Sequence, residues 1–179
     1  MSRTTTRLMV LGVIAHRQPI GGYGVEAVLR EWAVERWTTI APASIYQQLK
    51  TLESAGSIHR TSGDGSRAAL FTCTDDGWEE LRRLCRSLLD DDVRPLGLVP
   101  LLHFTPVLPT AELVAGLERR INHIDAALAH EEDVLALAGS RGPAHVVEIF
   151  RLTVHALRAE RTWSQEFIGR LRAGERAGS

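Results

Sequence analysis

Residues 41–74 read APASIYQQLKTLESAGSIHRTSGDGSRAALFTCT, and this stretch decides the fold. It begins as a helix, because Pro42 suits a first helical turn and Gly56 suits a left-handed C-terminal cap. Residues 57–61 and 68–73 then have the composition of short strands. The Gly-Asp-Gly loop between them favours positive φ, so the stretch is predicted to be a helix followed by a β-hairpin.

The helix in this stretch has two distinct faces. Ile45, Leu49 and Leu52 are spaced i, i+4 and i+7, which predicts one buried stripe. The opposite face is polar and carries Ser44, Tyr46, Gln47, Gln48, Lys50 and Thr51. Such short and amide side chains can bond base edges or phosphates on a helix that fits a DNA major groove. The alternative is an ordinary solvated face, which would more often mix Glu, Lys and Arg.

The flanking segments complete a known order of elements. Residues 7–15 have the apolar composition of a core helix, residues 17–24 that of a turn, and residues 25–37 that of a second helix. After the hairpin, Thr74 or Asp75 can cap a further helix with an acidic first turn. Helix, turn, helix, helix, hairpin, helix is the order of a winged helix-turn-helix.

A second domain is predicted after a proline-rich boundary. Prolines at 95, 100, 106 and 109 interrupt the helical pattern, so residues 1–90 are taken as the winged domain and 91–109 as a linker. Residues 110–172 are predicted to be a helical domain, and the small polar tail 173–179 to be disordered. The expected fold class is mainly α with a small β-hairpin wing, a winged helix-turn-helix domain plus a C-terminal long-helix dimerisation domain.

The two long helices of the second domain each carry an apolar seam with coiled-coil-like spacing. Two antiparallel helices of this length cannot bury both seams in a thin monomer, so a symmetric partner is expected. The expected dimerisation residues are Ile121, Ile124, Leu128, Phe150, Leu157 and Ile168. A homodimer of this kind would favour inverted-repeat operators with half-sites spaced by roughly 10 base pairs.

The stretch from about residue 8 to residue 88 resembles the PadR family of bacterial transcriptional regulators. The resemblance rests on four pieces in order, at residues 11–24, 42–52, 52–58 and 71–77. The family's Gly-Tyr turn falls on Gly22-Tyr23, its Ser-hydrophobic-Tyr helix start on Ser44-Ile45-Tyr46, and its Thr-x-x-Gly motif on residues 74–77. The resemblance implies a homodimeric, sequence-specific regulator of double-stranded operator DNA, a repressor that a small aromatic or drug-like effector releases.

Residues on the third helix, the turn and the wing are expected to contact DNA. They are Ser44, Tyr46, Gln47, Gln48, Lys50, Tyr23, Arg60 and Arg67. Wings of the family usually carry several basic residues after the loop glycine, whereas this wing has Arg67 alone there. Fewer phosphate contacts weaken non-specific binding. The alternative function is therefore a winged-helix protein-interaction module that no longer binds DNA.

The overall charge is modest for a nucleic-acid-binding protein. The 179 residues include 21 Lys and Arg against 22 Asp and Glu, a net charge of −1. Between residues 36 and 72, four cations stand against two carboxylates, a local excess of +2. Sequence-specific contacts must then contribute more to binding than bulk charge does. No signal-peptide or membrane-spanning pattern occurs, which predicts a cytoplasmic protein, and Cys73 and Cys85 are expected to be structural thiols.

Catalytic and metal sites are not expected. His123 and His130 lie two turns apart with Glu131 adjacent, but no third ligand has the right spacing for a metal. Residues 21–24 are not a phosphate loop, because no Lys-Ser/Thr follows them. The sequence thus predicts neither an enzyme nor a cofactor.

The aromatic residues suggest where an effector would bind. Trp32, Phe104 and Trp163 are candidates for the wall of a flat pocket, and the family resemblance makes a small aromatic or drug-like molecule the expected ligand. The alternative is that these aromatic side chains are simply core residues.

Overall fold

The computed structural model describes residues 3–62, 69–91, 93–94 and 96–174. The α-helices are α1 (Arg3–Arg17), α2 (Gly22–Glu31), α3 (Pro42–Ser54), α4 (Asp75–Asp90), α5 (Val99–Leu102), α6 (Thr110–Arg141) and α7 (Ala144–Arg172). Two 3₁₀ turns occupy Val34–Arg36 and Thr105–Val107, and the strands are β1 (Ile58–Ser62) and β2 (Ala69–Cys73). The expected fold class is confirmed: the chain is mainly α, with a hairpin between α3 and α4.

The chain forms two compact units. The first contains the residues up to Cys85 together with Val99–Val107, and the second contains Arg86–Leu98 and the residues from Leu108 onward. In the segment that the sequence suggests as a linker, Leu98, Leu101 and Phe104 are buried. The prolines of this segment do not prevent its apolar side chains from packing, and Pro100 lies within α5.

Helix α1 is the centre of the first unit and contacts α2, α3, α5 and β2. Its apolar residues are fully buried: Leu8, Met9, Val10, Leu11, Val13 and Ile14. The predicted stripe of Ile45, Leu49 and Leu52 on α3 is also buried. Burial of the stripe leaves the polar face of α3 directed away from this core.

The hairpin consists of β1 and β2 in antiparallel pairing, with Arg60 opposite Phe71. Backbone pairing with β2 also involves a residue outside the two strands. Ile20 exchanges two backbone hydrogen bonds with Phe71, at 3.1 Å and 2.9 Å. The backbone N–H of Cys73 donates to Gln18 Oε1 at 2.6 Å. The turn before α2 is therefore fixed to β2, a pairing that the sequence did not indicate.

A tight junction connects the end of α3 to the start of α4. Gly56 has φ of 76°, the left-handed conformation expected of the cap. The Thr74 hydroxyl donates to the Gly56 carbonyl at 2.7 Å and accepts from the Gly77 N–H at 3.0 Å, so it caps α4 as predicted. Gly77 is required here because a Cβ at this position would lie 2.0 Å from the Ser57 carbonyl oxygen.

A half-buried carboxylate reinforces the same junction. Glu80 on α4 accepts from Arg7 Nε at 2.5 Å and from the Ser57 hydroxyl at 2.5 Å. Burial alone would raise the pKa of Glu80, but the hydrogen bonds from Arg7 and Ser57 and the nearby positive charges of Arg7 and Arg83 hold that pKa below its ordinary value. Glu80 thereby links α1, the start of β1 and α4.

The second unit is organised by the packing of α6 against α7 and by a buried arginine. Arg120 on α6 is 1% exposed, and its Nε donates to Glu160 on α7 at 2.7 Å. Its Nη1 donates to the carbonyl oxygens of Leu88 and Asp91, at 3.3 Å and 3.1 Å. Because Glu160 balances the charge and the two carbonyls accept from Nη1, Arg120 joins α6, α7 and the end of α4.

Replacing Gly77 by alanine is expected to destabilise the first unit by about 2 to 3 kcal/mol, since the new methyl group would meet a backbone carbonyl that cannot move away. Urea unfolding followed by circular dichroism measures the change. Gly169→Ala is the matched control: beyond its chain neighbours and its own helix backbone, no atom of the described residues lies within 4 Å of its Cβ position, so this helix substitution should be neutral or slightly stabilising. Equal stability of both variants would contradict the tight junction.

The Glu80 contacts predict a pH-dependent stability. Because the folded pKa lies below the ordinary value of 4.5, the ionised carboxylate stabilises the fold above that pH, and the contribution is lost as pH falls through the lowered pKa. Unfolding free energies of the wild type and Glu80→Gln should therefore differ most near neutral pH and converge in acid. Glu79→Gln on the exposed side of α4 is the control and should show no such convergence. A constant difference between wild type and Glu80→Gln from pH 7 to pH 3 would disprove the account.

Candidate nucleic-acid interface

The polar face of α3 is exposed along most of its length. Ser44, Gln47 and Lys50 are exposed, and Tyr46 is 53% exposed. Gln48 is different, since it is half-buried and its Oε1 has no hydrogen-bond partner among the described residues. Gln48 lies on the edge of the apolar stripe, one turn from both Ile45 and Leu52, so it is less exposed than the other residues of the polar face.

The polar groups of this face differ in their availability to a partner. The hydroxyls of Thr51 and Ser54 donate to the Gln47 and Lys50 carbonyls, at 2.8 Å and 2.9 Å, and so are occupied by the helix backbone. In the part of the chain that the structure describes, the side chains of Ser44, Gln47 and Lys50 make no hydrogen bond. These three side chains can therefore bond another molecule without breaking an existing contact.

The Gly-Tyr turn lies against α3. A Cβ on Gly22 would come within 2.8 Å of the Tyr46 ring, so α2 begins directly beneath that ring. The next residue, Tyr23, is 73% exposed. Helix α3 begins after Ala41, which provides no side-chain hydrogen bond to cap it. The structure thus brings Tyr46, the turn before Tyr23 and an uncapped helix N-terminus together.

Of the two wing arginines expected to contact DNA, Arg60 is among the residues that the structure describes. Arg60 lies on β1 and is exposed, as is His59 beside it. Arg67 lies in residues 63–68, outside the described residues. The expected role of Arg67 therefore stays a prediction.

The two cysteines are in surroundings that disfavour reactive thiolates. Burial, followed by the negative charges of Glu80 and Asp75, raises the pKa of the Cys73 thiol to about 11. Cys85 is buried, and neither of the two cysteines is in a disulfide. These surroundings fit the structural role expected from the sequence.

The residues suggested for dimerisation divide into two groups. Ile124, Leu128 and Leu157 form one cluster with Val154 between α6 and α7 of a single chain. Ile168 is also buried, whereas Ile121 and Phe150 are half-buried. An apolar seam has the same spacing whether it packs within a chain or between chains, which is why the sequence did not separate the two uses.

The three suggested effector-pocket residues are placed in different units. Trp32 and Phe104 lie 5.8 Å apart in the first unit, while Trp163 is in the second unit and stacks on Phe167 at 5.1 Å. Phe104 is fully buried and fills the space above Gly12, where a Cβ would lie 2.3 Å from its ring. Phe104 is therefore packed in the core of the first unit, which favours the alternative of a core residue; a role in an effector pocket stays a prediction.

Trp32 is half-buried, so part of its surface is exposed. Its ring stacks on His103 at 5.0 Å, and burial lowers the pKa of His103.

Among the described residues, no three potential metal ligands of the His, Cys, Asp and Glu types lie close enough to share an ion. No described helix combines the length and the hydropathy needed to cross a membrane.

These elements define the fold of a winged helix-turn-helix followed by a long helical hairpin. No protein-family model matches the chain, and no curated protein matches it. Among solved structures, the chain is similar to a PadR-like transcriptional regulator from Bacillus cereus, with 19% identity, 95% of this chain and 99% of that chain covered, and a TM-score of 0.41.

Two structures of PadR from Bacillus subtilis are also similar. The complex with operator DNA has 17% identity, covers 92% of this chain and 98% of that chain, and has a TM-score of 0.40. The complex with p-coumaric acid has 14% identity and a TM-score of 0.40, and the match covers 96% of this chain and 98% of that chain.

Proposed function

We propose that this chain is a sequence-specific DNA-binding transcriptional regulator that acts as a homodimeric repressor. The observation that carries the proposal is the exposed face of α3, where Ser44, Tyr46, Gln47 and Lys50 are available above a buried stripe. Release by a small aromatic or drug-like effector is part of the proposal and rests on the resemblance of the sequence motifs to the PadR family.

The chemistry of the α3 face fits a major groove. A Gln side chain can bond N6 and N7 of an adenine in a bidentate way, and Gln47 projects from the centre of the exposed face. Lys50 and the Tyr46 hydroxyl are suited to phosphates on either side. Glu53, the one carboxylate on α3, lies at the end of the helix away from the uncapped N-terminus.

The small number of cations shapes the expected binding. Lys50 and Arg60 are the described cations of α3 and the wing, so few counterions would be released on binding. The salt dependence should then be shallow, and specificity should depend on base contacts and on the pairing of two half-sites. The uncapped N-terminus of α3 adds partial positive charge toward a phosphate.

Exposed apolar residues support self-association through the second unit. Leu137, Ile149 and Leu152 are exposed by 72%, 59% and 72%, all near the turn between α6 and α7. Because Leu128 and Leu157 are used within one chain, these exposed residues, rather than the two buried leucines, are the proposed contact with a second copy.

DNA binding can be tested by fluorescence anisotropy with the DNA upstream of the protein's own gene. Specific binding that weakens at higher salt is expected for a regulator. Gln47→Ala should change the ranking of operator variants by about 1 to 3 kcal/mol, because one bidentate base contact is lost. Lys50→Gln should weaken binding to all sequences and lower the salt slope by about 1.

Ser54→Ala is the matched control for both variants, because it lies on the same helix and its hydroxyl bonds the Lys50 carbonyl. It should bind like the wild type. No binding by the wild type at low salt would favour the alternative function, a winged-helix protein-interaction module.

The proposed self-association predicts the effect of a charge at Leu152. Leu152→Glu should turn a dimer into a monomer at micromolar concentration without unfolding the hairpin, because the side chain is 72% exposed in the single chain. Sedimentation velocity measures the change, with the apolar variant Leu152→Met as control. A dimer that persists in Leu152→Glu would show that the second copy binds elsewhere.

A further inference from the structure

A cleft of about 420 Å³ opens in the first unit, between α2, the Val34–Arg36 turn and the start of α3. Its floor consists of Leu29, Val34 and Ile45, which are buried, and Ile40 and Pro42 add apolar walls. This volume lies within the range of roughly 300 to 1,000 Å³ found for small-molecule sites. The apolar floor could cover an aliphatic or aromatic body of moderate size.

The rim of the cleft is acidic. Glu26, Arg30 and Glu35 line it, so two carboxylates and one guanidinium give a charge of −1. Arg30 is already engaged, since its Nη2 donates to Glu26 Oε1 at 2.8 Å. Within the described residues, Glu35 pairs with no cation, which leaves a carboxylate at the edge of an apolar surface.

The backbone at this edge is held in an unusual conformation. Ala33, which joins α2 to the turn that carries Glu35, has φ of 50°. A left-handed alanine is uncommon and costs free energy, so the surrounding packing must impose it. The packing that imposes this conformation sets the path of the Val34–Arg36 turn, which carries Glu35 at the edge of the cleft.

We propose that this cleft is a binding site for an amphiphilic cation, an amine carried on a short apolar body. The apolar body covers Leu29, Val34 and Ile45, and the ammonium group lies at the Glu35 carboxylate. The site is distinct from the aromatic residues suggested for an effector, none of which lines this cleft. Because Pro42 and Ile45 belong to α3, the ligand would contact the first turn of that helix directly.

Isothermal titration of the full chain with octylammonium, and with octanoate as an anion of equal length, tests the proposal. We expect one octylammonium per chain and binding at least about fivefold tighter than that of octanoate, the ratio that one partly solvated charge pair supplies. Glu35→Gln should abolish the preference for the cation, while the matched control Glu31→Gln, a carboxylate outside the cleft, should retain it. Thr39→Trp, an exposed lining position, should fill the cleft and prevent binding of both compounds.

The titration contains no DNA, so its outcome does not depend on the proposed regulatory function. Equal binding of the anion and the cation, or no binding of octylammonium, would overturn the proposal. Octylammonium binding that Thr39→Trp leaves unchanged would also overturn it, because the ligand would then lie outside the cleft. Circular dichroism of each variant confirms that the chain remains folded.

Discussion

The close approach of Gly77 to the Ser57 carbonyl is the constraint on which the first unit depends. With no side chain at Gly77, α4 can begin directly against the end of α3, and Thr74 can bond both elements. Glu80 then ties this junction to Arg7 on the central helix. The hairpin leaves and returns through the same junction, so the wing and the exposed face of α3 are held in a fixed relation to each other.

Local patterns in the sequence were sufficient to predict most of this fold. The apolar stripe and the Pro42 and Gly56 signals predicted α3, and the Gly-Asp-Gly loop predicted the hairpin, because backbone preference and burial act there over a few residues. Features that depend on residues distant in the chain were missed. The Ile20 bridge to Phe71 and the Arg120 contacts each join segments that no local pattern connects.

The candidate site was predicted in part for the same reason. Helical periodicity separates the buried and exposed faces of α3, so the exposure of Gln47 and Lys50 was predictable, while the edge position of Gln48 depends on the width of the buried face. The packing of Phe104 against Gly12 joins residues that are distant in the chain, so local patterns left open whether this aromatic residue belongs to the core. Apolar seams do not show whether they pack within or between chains, so Leu128 and Leu157 were assigned to a subunit interface.

The central proposal is that the protein is a homodimer whose α3 helices recognise a DNA sequence and make few phosphate contacts. Selection of bound duplexes from a random-sequence library, followed by sequencing, tests it most directly. The account predicts enrichment of an inverted repeat whose half-sites are roughly 10 base pairs apart. A bound pool that is no different from the input library at low salt would contradict sequence-specific recognition by this helix.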